Sequence, residues 1–256
     1  SALVDGGPAR ADWDSGRRVV LPALRALGVR RLRLAAASHS DLDHAGGLVA
    51  VARADRAEAW LIPPRAAGGD WRALDAELAR SGRAAREVAA GWSWVAPGGR
   101  DTLRALYPDS AALAAGLSEN DLCLVLEAAA PEGRVLLAGD LGFAGEARLV
   151  GAGALRPCAV LKVGHHGSPG SSSPAFLRAL AGSRAPLAAI SVARHSPFGH
   201  PSPAVEARLR EAGFRLAETR QAGALLYELR PEGPVPVTSE AWTAPTPGGA
   251  GRAPRP

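Results

Sequence analysis

The sequence predicts an α/β fold, and three observations support that class. Segments with apolar residues at helical spacing alternate along the chain with short apolar runs typical of buried strands. The 256 residues, 47% of them hydrophobic, suffice for one large domain or two small ones with a substantial core. No apolar run reaches the roughly 18 residues that a membrane-spanning helix needs, so we expect a soluble domain.

The first half of the chain predicts helices and strands in turn. "GRRVVLPALRALGV" has helical spacing, "RRLRLAAAS" and "EAWLIPP" are predicted strands, and "AGGLVAVARADR" is predicted to be a helix. Residues 65–86 are rich in Ala and Arg and are predicted to be helical.

The second half predicts a larger set of strands. Four of them precede the helix "GFAGEARLVGAG": "WSWVAP", "LRALYP", "DLCLVLEA" and "RVLLAGD". The strands "CAVLKVGHH" and "LAAISVARHS" then alternate with the helices "SPAFLRALAGS" and "SPAVEARLREAG", which carry Pro in the first turn. The strands "FRLAET" and "GALLYEL" follow. We therefore expect one folded domain over residues 1–230 and a disordered Pro/Gly-rich tail over residues 231–256.

Charge and cysteine content restrict the function classes only loosely. The net charge of +5 suits a polyanionic partner. However, arginines are distributed singly along the chain and Lys162 is the only lysine, a composition that GC-rich coding also produces. Cys123 and Cys158 have no zinc-ribbon spacing, so we expect two buried thiols.

The stretch "SHSDLDHAGG" is the strongest chemical signal. It places His39, Asp41, Asp43 and His44 between a predicted strand and a predicted helix. In an extended or tightly turned loop His39 and Asp41 can converge on one ion, while Asp43 and His44 can face a second. Gly46 and Gly47 would let the backbone turn close to the metals. Any one of these residues alone would suit a polar surface loop, but the four together predict a metal-binding loop.

This pattern resembles the H-x-[HD]-x-D-H signature of the metallo-β-lactamase superfamily. Further stretches resemble its motifs in order: "LVDGGP" with Asp5, "VLLAGD" with Asp140, "LKVGHHGS" with His165 and His166, and "GHPS" with His200. The series is most similar to the C-terminal domain of the ComEC family of competence proteins, inner-membrane channels of bacterial DNA uptake. The resemblance covers about residues 1–230 and implies a four-layer αββα sandwich. A "D-x-G-Q-G-D" hairpin that usually precedes "LVDGGP" is missing, so we expect an incomplete first sheet.

The resemblance also implies two divalent metal ions and no organic cofactor. The implied ligands are His39, Asp41, Asp43, His44, Asp140, His165 and His200. Asp41 replaces the usual His, and no His lies between His44 and His165. Three carboxylates and no thiolate favour Mn²⁺, with Zn²⁺ or Mg²⁺ as alternatives.

Other residues are assigned to catalysis and to substrate binding. Asp43 is the predicted partner of the attacking water, and His166 is predicted to protonate the leaving oxygen or hold a phosphate oxygen. Either His165 or His166 could instead be a core histidine. Ser168, Lys162 and Asn120 are the candidate substrate contacts, although Lys162 could simply extend to solvent and the serines could form a plain turn.

The leading hypothesis is a DNA nuclease domain that degrades the strand not taken up, through backbone contacts without sequence specificity. The alternatives are a lactone, thioester or β-lactam hydrolase of the same fold, or a non-catalytic module that guides DNA. The resemblance implies a periplasmic position and, as a further partner, the membrane channel of the same parent protein.

Overall fold

We describe the chain from a computed structural model, which covers residues 1–182 and 185–237. These residues form two compact units, Ser1–Val88 and Ala89–Pro236. Each unit has its own β-sheet with helices, in agreement with the predicted α/β class. In the described residues no helix is long and apolar enough to cross a bilayer.

The first unit contains a parallel sheet of four strands in sequential order. The strands are β1 (Ala2–Val4), β2 (Leu32–Ala36), β3 (Ala57–Ile62) and β4 (Ala85–Glu87). Its helices are a π-helix (Gly16–Val20), α1 (Leu21–Ala26), α2 (Leu42–Arg53), a 3₁₀ turn (Arg65–Ala67) and α3 (Arg72–Arg80). Parallel strands need helical crossovers, which explains the alternation in the sequence.

The core of this unit forms between its strands and helices. Leu48 and Val51 on α2 are fully buried in a cluster that also contains Trp60 of β3 and Leu78 of α3. Burial of each such large apolar side chain contributes about 1.5–3 kcal/mol to folding.

The second unit contains a mixed sheet of seven strands in the order β11-β10-β9-β8-β7-β6-β5. The strands are β5 (Ser93–Val95), β6 (Thr102–Tyr107), β7 (Val125–Ala130), β8 (Gly133–Leu137), β9 (Val160–Lys162), β10 (Leu187–Ile190) and β11 (Arg215–Glu218). Strands β5 to β8 pair antiparallel, and β8 to β11 pair parallel. A separate hairpin joins β12 (Tyr227–Arg230) to β13 (Gly233–Pro236).

The helices of the second unit lie in its connections. They are α4 (Ser110–Leu113), a 3₁₀ turn (Asn120–Leu122), α5 (Phe143–Gly151), a 3₁₀ turn (Gly164–Gly167), α6 (Pro174–Leu180), α7 (Pro203–Glu211) and α8 (Thr219–Ala222). Cys123 and Cys158 are buried thiols that are not joined in a disulfide, as predicted.

Three predicted element boundaries are corrected. Helix α2 begins at Leu42 rather than after the histidine and aspartate cluster, so Asp43 and His44 lie in its first turn. The predicted helix over 65–86 is confined to α3, because Gly68 and Gly82 adopt positive φ on either side of it. The first residues of the predicted tail form the turn and the second strand of the β12–β13 hairpin, while residues 238–256 lie outside the described part of the chain.

Candidate functional site

The metal-binding loop of the first unit follows the carboxyl ends of two paired strands. Val4 of β1 pairs with Ala36 of β2, and the Asp5 backbone N–H donates to the Ala36 carbonyl at 2.9 Å. Because parallel strands end at the same sheet edge, Asp5 is brought beside Ser38 and His39.

One carboxylate orients two histidines at this edge. Asp5 Oδ2 lies 2.8 Å from His44 Nδ1 and 2.9 Å from Ser38 Oγ, and Ser38 Oγ lies 3.0 Å from His39 Nδ1. A consistent network has His44 Nδ1–H and the Ser38 hydroxyl donating to Asp5, and His39 Nδ1–H donating to Ser38. Both histidines then present Nε2 as a lone-pair donor, the arrangement that metal-ligating histidines use.

The two imidazoles are adjacent and removed from water. The His39 and His44 ring centroids are 4.2 Å apart, and both residues are buried. Asp41 is exposed and places Oδ2 3.4 Å from His39 Nε2, whereas Asp43 is exposed in the first turn of α2. The sequence motif therefore combines two buried nitrogen donors with two solvent-facing carboxylates.

Gly46 and Gly47 have a different role from the one predicted. A Cβ on Gly47 would lie 2.0 Å from the Gly6 carbonyl oxygen, and a Cβ on Gly46 would lie 2.7 Å from the Ala9 nitrogen. These glycines therefore let the segment after β1 pack directly on α2 instead of turning the backbone near a metal.

The second set of polar side chains also follows two paired parallel strands. Leu137 of β8 pairs with Lys162 of β9, so Asp140 and the pair His165–His166 lie beyond the same end of the sheet. Asp140 is buried, and the Nε2 atoms of His165 and His166 each lie 3.8 Å from one of its carboxylate oxygens.

A left-handed turn presents both histidines on the same side. His165 and His166 have φ values of 49° and 52°, which is uncommon for residues other than glycine and indicates a constrained turn. Gly167, with φ of 81°, follows them, and a Cβ there would meet Pro201 Cβ at 2.6 Å. The turn therefore removes the strand alternation that would have separated the two imidazoles.

The histidines of this unit differ in their surroundings. His166 Nδ1 donates to the Ser191 carbonyl at 2.7 Å, which leaves Nε2 directed at Asp140. The His200 ring centroid lies 6.0 Å from that of His165. Burial, together with the two neighbouring imidazoles His165 and His166, lowers the pKa of His200 below 6.5, so its neutral, ligand-competent form is favoured.

Lys162 does not extend away to solvent. Its Nζ donates to the Gly139 carbonyl at 2.9 Å and lies 3.8 Å from Asp140 Oδ1. A positive charge is thereby held at the buried carboxylate, close to the two imidazoles.

The serine-rich loop after the histidines is fixed by two charged residues. The buried Glu146 carboxylate accepts from the backbone N–H groups of Ser172 and Ser173, and burial raises its pKa. Arg208 donates to the carbonyls of Ser171 and Ser172, at 2.8 and 2.9 Å, and also to that of Pro169.

Because Glu146 occupies the backbone amides of Ser172 and Ser173, these two amides are not available to bind a phosphate. Ser168 instead donates its backbone N–H to the His165 carbonyl at 2.8 Å. No sequence motif pointed to Glu146 or Arg208, since a charged residue on an amphipathic helix normally faces solvent.

The segment around Asn120 and Asp121 is largely structural. The Asp121 carboxylate accepts from Ser118 Oγ and from the Gly145 N–H near the start of α5. Asn120 begins the adjacent 3₁₀ turn and is partly exposed. Its assignment as a substrate contact remains a prediction.

The predicted site residues thus fall into two sets. The first unit carries His39, Asp41, Asp43 and His44, and the second carries Asn120, Asp140, Lys162, His165, His166, Ser168 and His200. Asp5 and Ser38 extend the first set; "LVDGGP" had pointed to Asp5, but only its contacts show what the carboxylate does.

Comparison with known families identifies the superfamily of the chain. Residues 1–188 match the model of the metallo-beta-lactamase superfamily, and this span includes every predicted ligand except His200. The chain belongs to this superfamily. The fold family predicted from the motifs is therefore confirmed.

The relatives of this superfamily member include a competence protein. The chain is 34% identical over 211 residues to the competence protein ComA of Neisseria gonorrhoeae, which confirms the resemblance to competence proteins. The match covers 82% of this chain and 27% of ComA, so the chain spans about a quarter of the length of that relative.

Two solved structures show weaker similarity. A Cronobacter sakazakii metallo-beta-lactamase mutant is 20% identical, with a TM-score of 0.38 over 56% of this chain and 54% of its own. A Parabacteroides distasonis putative metal-dependent hydrolase is 12% identical, with a TM-score of 0.45 over 75% and 78%. Likeness at these scores carries no argument about function.

Proposed function

We propose that the chain is a metal-dependent phosphodiesterase that hydrolyses DNA. The observation that carries the proposal is the buried Asp140 carboxylate, which faces the Nε2 atoms of His165 and His166 and the Lys162 ammonium. A cationic and imidazole-rich environment of this kind suits an anionic phosphodiester better than a neutral lactone or thioester.

The donor atoms fit divalent metal ions. Nδ1 of His44 is engaged by Asp5, so Nε2 remains as the ligating atom of that ring. Both cysteines are buried, and burial raises the pKa of Cys158 to about 12, which leaves carboxylates and imidazoles as the ligands. A mixed oxygen and nitrogen set favours Mn²⁺, with Zn²⁺ or Mg²⁺ as alternatives. We propose two ions, as the family resemblance implies.

Divalent ions, when bound, would supply Lewis acidity to activate a water and to stabilise charge on the phosphate. The residues that would hold them are His39, Asp41, Asp43, His44, Asp140, His165 and His200. Asp43 accepts the proton of the attacking water, whose oxygen forms a bond to phosphorus. The bond from phosphorus to the leaving oxygen breaks, and His166 donates a proton from Nε2 to that oxygen. Lys162 neutralises phosphate charge, and Ser168 and Asn120 contact the substrate backbone.

The similarity to ComA suggests the biological setting. We propose that the chain is part of a larger inner-membrane competence protein, faces the periplasm and degrades the strand that is not taken up. Its partners would then be DNA, bound through the backbone, and the channel portion of the same protein.

The test is cleavage of labelled single- and double-stranded DNA by the 256-residue chain with Mn²⁺, Mg²⁺, Zn²⁺ or a chelator. We expect Mn²⁺-dependent cleavage that the chelator and the double substitution Asp43→Ala, His44→Ala abolish. The control is Asp75→Ala, which removes an exposed carboxylate paired with Arg65.

Two results would contradict the proposal. Metal binding without DNA cleavage, combined with hydrolysis of a lactone or thioester, would favour a small-ester hydrolase. Binding of DNA without metal binding or cleavage would favour a module that guides DNA.

A further inference from the structure

A basic and aromatic pocket lies in the first unit, outside the predicted metal ligands. It has a volume of about 380 Å³ and is lined by Arg10, Asp12, Trp13, Asp14, Arg17 and Arg18, with Ala11. Cavities that bind small organic groups begin at about this size. We propose that this pocket binds one nucleotide unit of single-stranded DNA, with the base on Trp13 and the flanking phosphates on Arg10 and Arg17. This inference rests on the proposed function.

The segment that forms the pocket is fixed to the helix that carries Asp43 and His44. The Gly6 N–H donates to the His44 carbonyl at 2.7 Å, and the Gly47 N–H donates to the Gly7 carbonyl at 2.8 Å. The segment also closes on itself, because Arg10 N–H donates to the Trp13 carbonyl and Ser15 N–H to that of Pro8. The pocket is therefore preorganised beside the first turn of α2, which reduces the entropic cost of binding.

Trp13 has the properties of a base-stacking residue. Its side chain is 43% exposed, whereas Trp60 and Trp71 are buried in the core of the same unit. The indole Nε1–H donates to Ser15 Oγ at 2.9 Å, and the Arg18 guanidinium carbon lies 5.0 Å from the ring centroid. An exposed indole held in one orientation and flanked by a guanidinium group is the arrangement that stacks on bases without sequence preference.

The charges of the pocket favour a phosphodiester. Arg10, Arg17 and Arg18 are exposed, and in residues 1–182 and 185–237 none of them lies within ion-pair distance of a carboxylate. By contrast, the Arg31, Arg33 and Arg53 side chains of the same unit are paired with acidic residues. Asp14 accepts the Arg17 backbone N–H at 3.0 Å, so its carboxylate is used to cap the π-helix. Three guanidinium groups face two carboxylates, and the pocket keeps a net positive charge.

The test is fluorescence anisotropy of a labelled oligothymidylate with the 256-residue chain in buffer without divalent metal, so that the strand stays intact. We expect Trp13→Ala to weaken binding by about 5- to 100-fold, the range for loss of one base–aromatic stack, and Trp13→Phe to retain most of the affinity. Arg10→Gln with Arg17→Gln should weaken binding and lower the slope of log affinity against log salt by about 0.7 for each lost phosphate contact.

Two controls make the result specific. Arg25→Gln removes one positive charge from an exposed position on α1, outside the pocket, and should leave the affinity within about twofold of wild type, because salt screens a charge that makes no direct contact. Trp13→Ala should not change the affinity for an oligomer of abasic sites, because no base remains to stack. The arginine substitutions should weaken binding of this oligomer as they weaken binding of oligothymidylate.

Unchanged binding by Trp13→Ala, or an equal loss on the abasic strand, would overturn the inference. Cleavage with Mn²⁺, measured in parallel, separates this outcome from failure of the proposed function. If the wild type cleaves DNA and Trp13→Ala binds the oligonucleotide as tightly as the wild type does, the pocket is rejected and the proposed nuclease function is retained. Binding through Trp13 without cleavage by any metal form rejects the nuclease and retains the pocket as a DNA site.

Discussion

Asp5 Oδ2 lies 2.8 Å from His44 Nδ1, although 39 positions separate the two residues in the chain. The same oxygen lies 2.9 Å from Ser38 Oγ, which in turn contacts His39 Nδ1. A single carboxylate therefore controls the tautomer of both buried histidines of the metal-binding loop. Asp5 is a positioning residue that acts through its neighbours, and it extends the set defined by the sequence motif.

Substitution of Asp5 should weaken metal binding. Asp5→Ala removes the carboxylate that accepts from His44 Nδ1 and from Ser38 Oγ, so we expect the affinity for Zn²⁺ or Mn²⁺ to fall by about 10- to 100-fold. Isothermal titration calorimetry measures this directly. Glu58→Gln, which removes an exposed carboxylate paired with Arg33 in the same unit, is the control. Wild-type affinity in Asp5→Ala would show that the carboxylate does not orient the ligands.

The turn that carries His165 and His166 should depend on Gly167. Gly167→Ala places a Cβ 2.6 Å from Pro201 Cβ at a φ of 81°, and we expect a loss of about 1–3 kcal/mol in the free energy of unfolding. Denaturation in urea provides the measurement. Gly170→Ala lies in the same loop with nothing within 4 Å of its Cβ, and it should change stability little. Equal stability of the two variants would contradict the role of close packing at Gly167.

Although Arg208 is partly exposed, its contacts with the serine loop should contribute substantially to the stability of the protein. Arg208→Leu leaves the carbonyls of Ser171 and Ser172 without their donor and removes positive charge near Glu146, and we expect a loss of about 2–4 kcal/mol in the free energy of unfolding. Arg210→Gln on the same helix removes only a surface pair with Glu206 and should cost under about 0.5 kcal/mol.

The cost of Arg208→Leu should also depend on pH. Burial already raises the pKa of Glu146, and the loss of Arg208 raises it further, so the folded protein binds a proton more readily than the unfolded chain. Stability contributed by that proton is present below the unfolded pKa and is lost as pH rises through the folded pKa. The variant should therefore be closest to wild type at acid pH. A penalty that does not change with pH would exclude coupling to Glu146.

In the metal-free protein, the stability contributed by His200 should change with pH in the opposite direction. Its pKa is lowered, mainly by burial, so the unfolded chain takes up a proton at a higher pH than the folded chain. Its contribution to stability is present above 6.5 and is lost as pH falls below it. NMR of the imidazole carbon-bound protons should give a midpoint below 6.5 for His200. Thermal melts of His200→Gln should show a shallower pH slope than wild type, while His195→Gln, an exposed residue of the same loop, should retain the slope.

The sequence by itself determined the class of the fold and most of the candidate ligands. Hydrophobic periodicity located the strands β2, β3 and β6 to β11, because a buried strand must be apolar whatever its neighbours are. The spacing of His39, Asp41, Asp43 and His44 indicated metal chemistry, since four ligand-type side chains within six positions are improbable in a plain surface loop.

The tertiary structure decided how those side chains are held. The contact of Asp5 with His44, the packing of Gly167 on Pro201 and the binding of the serine loop by Glu146 and Arg208 all join residues distant in the chain. Periodicity reports only whether a side chain is buried or exposed. Which atom accepts a hydrogen bond, and which histidine nitrogen is left for a metal, depends on strand order and helix packing.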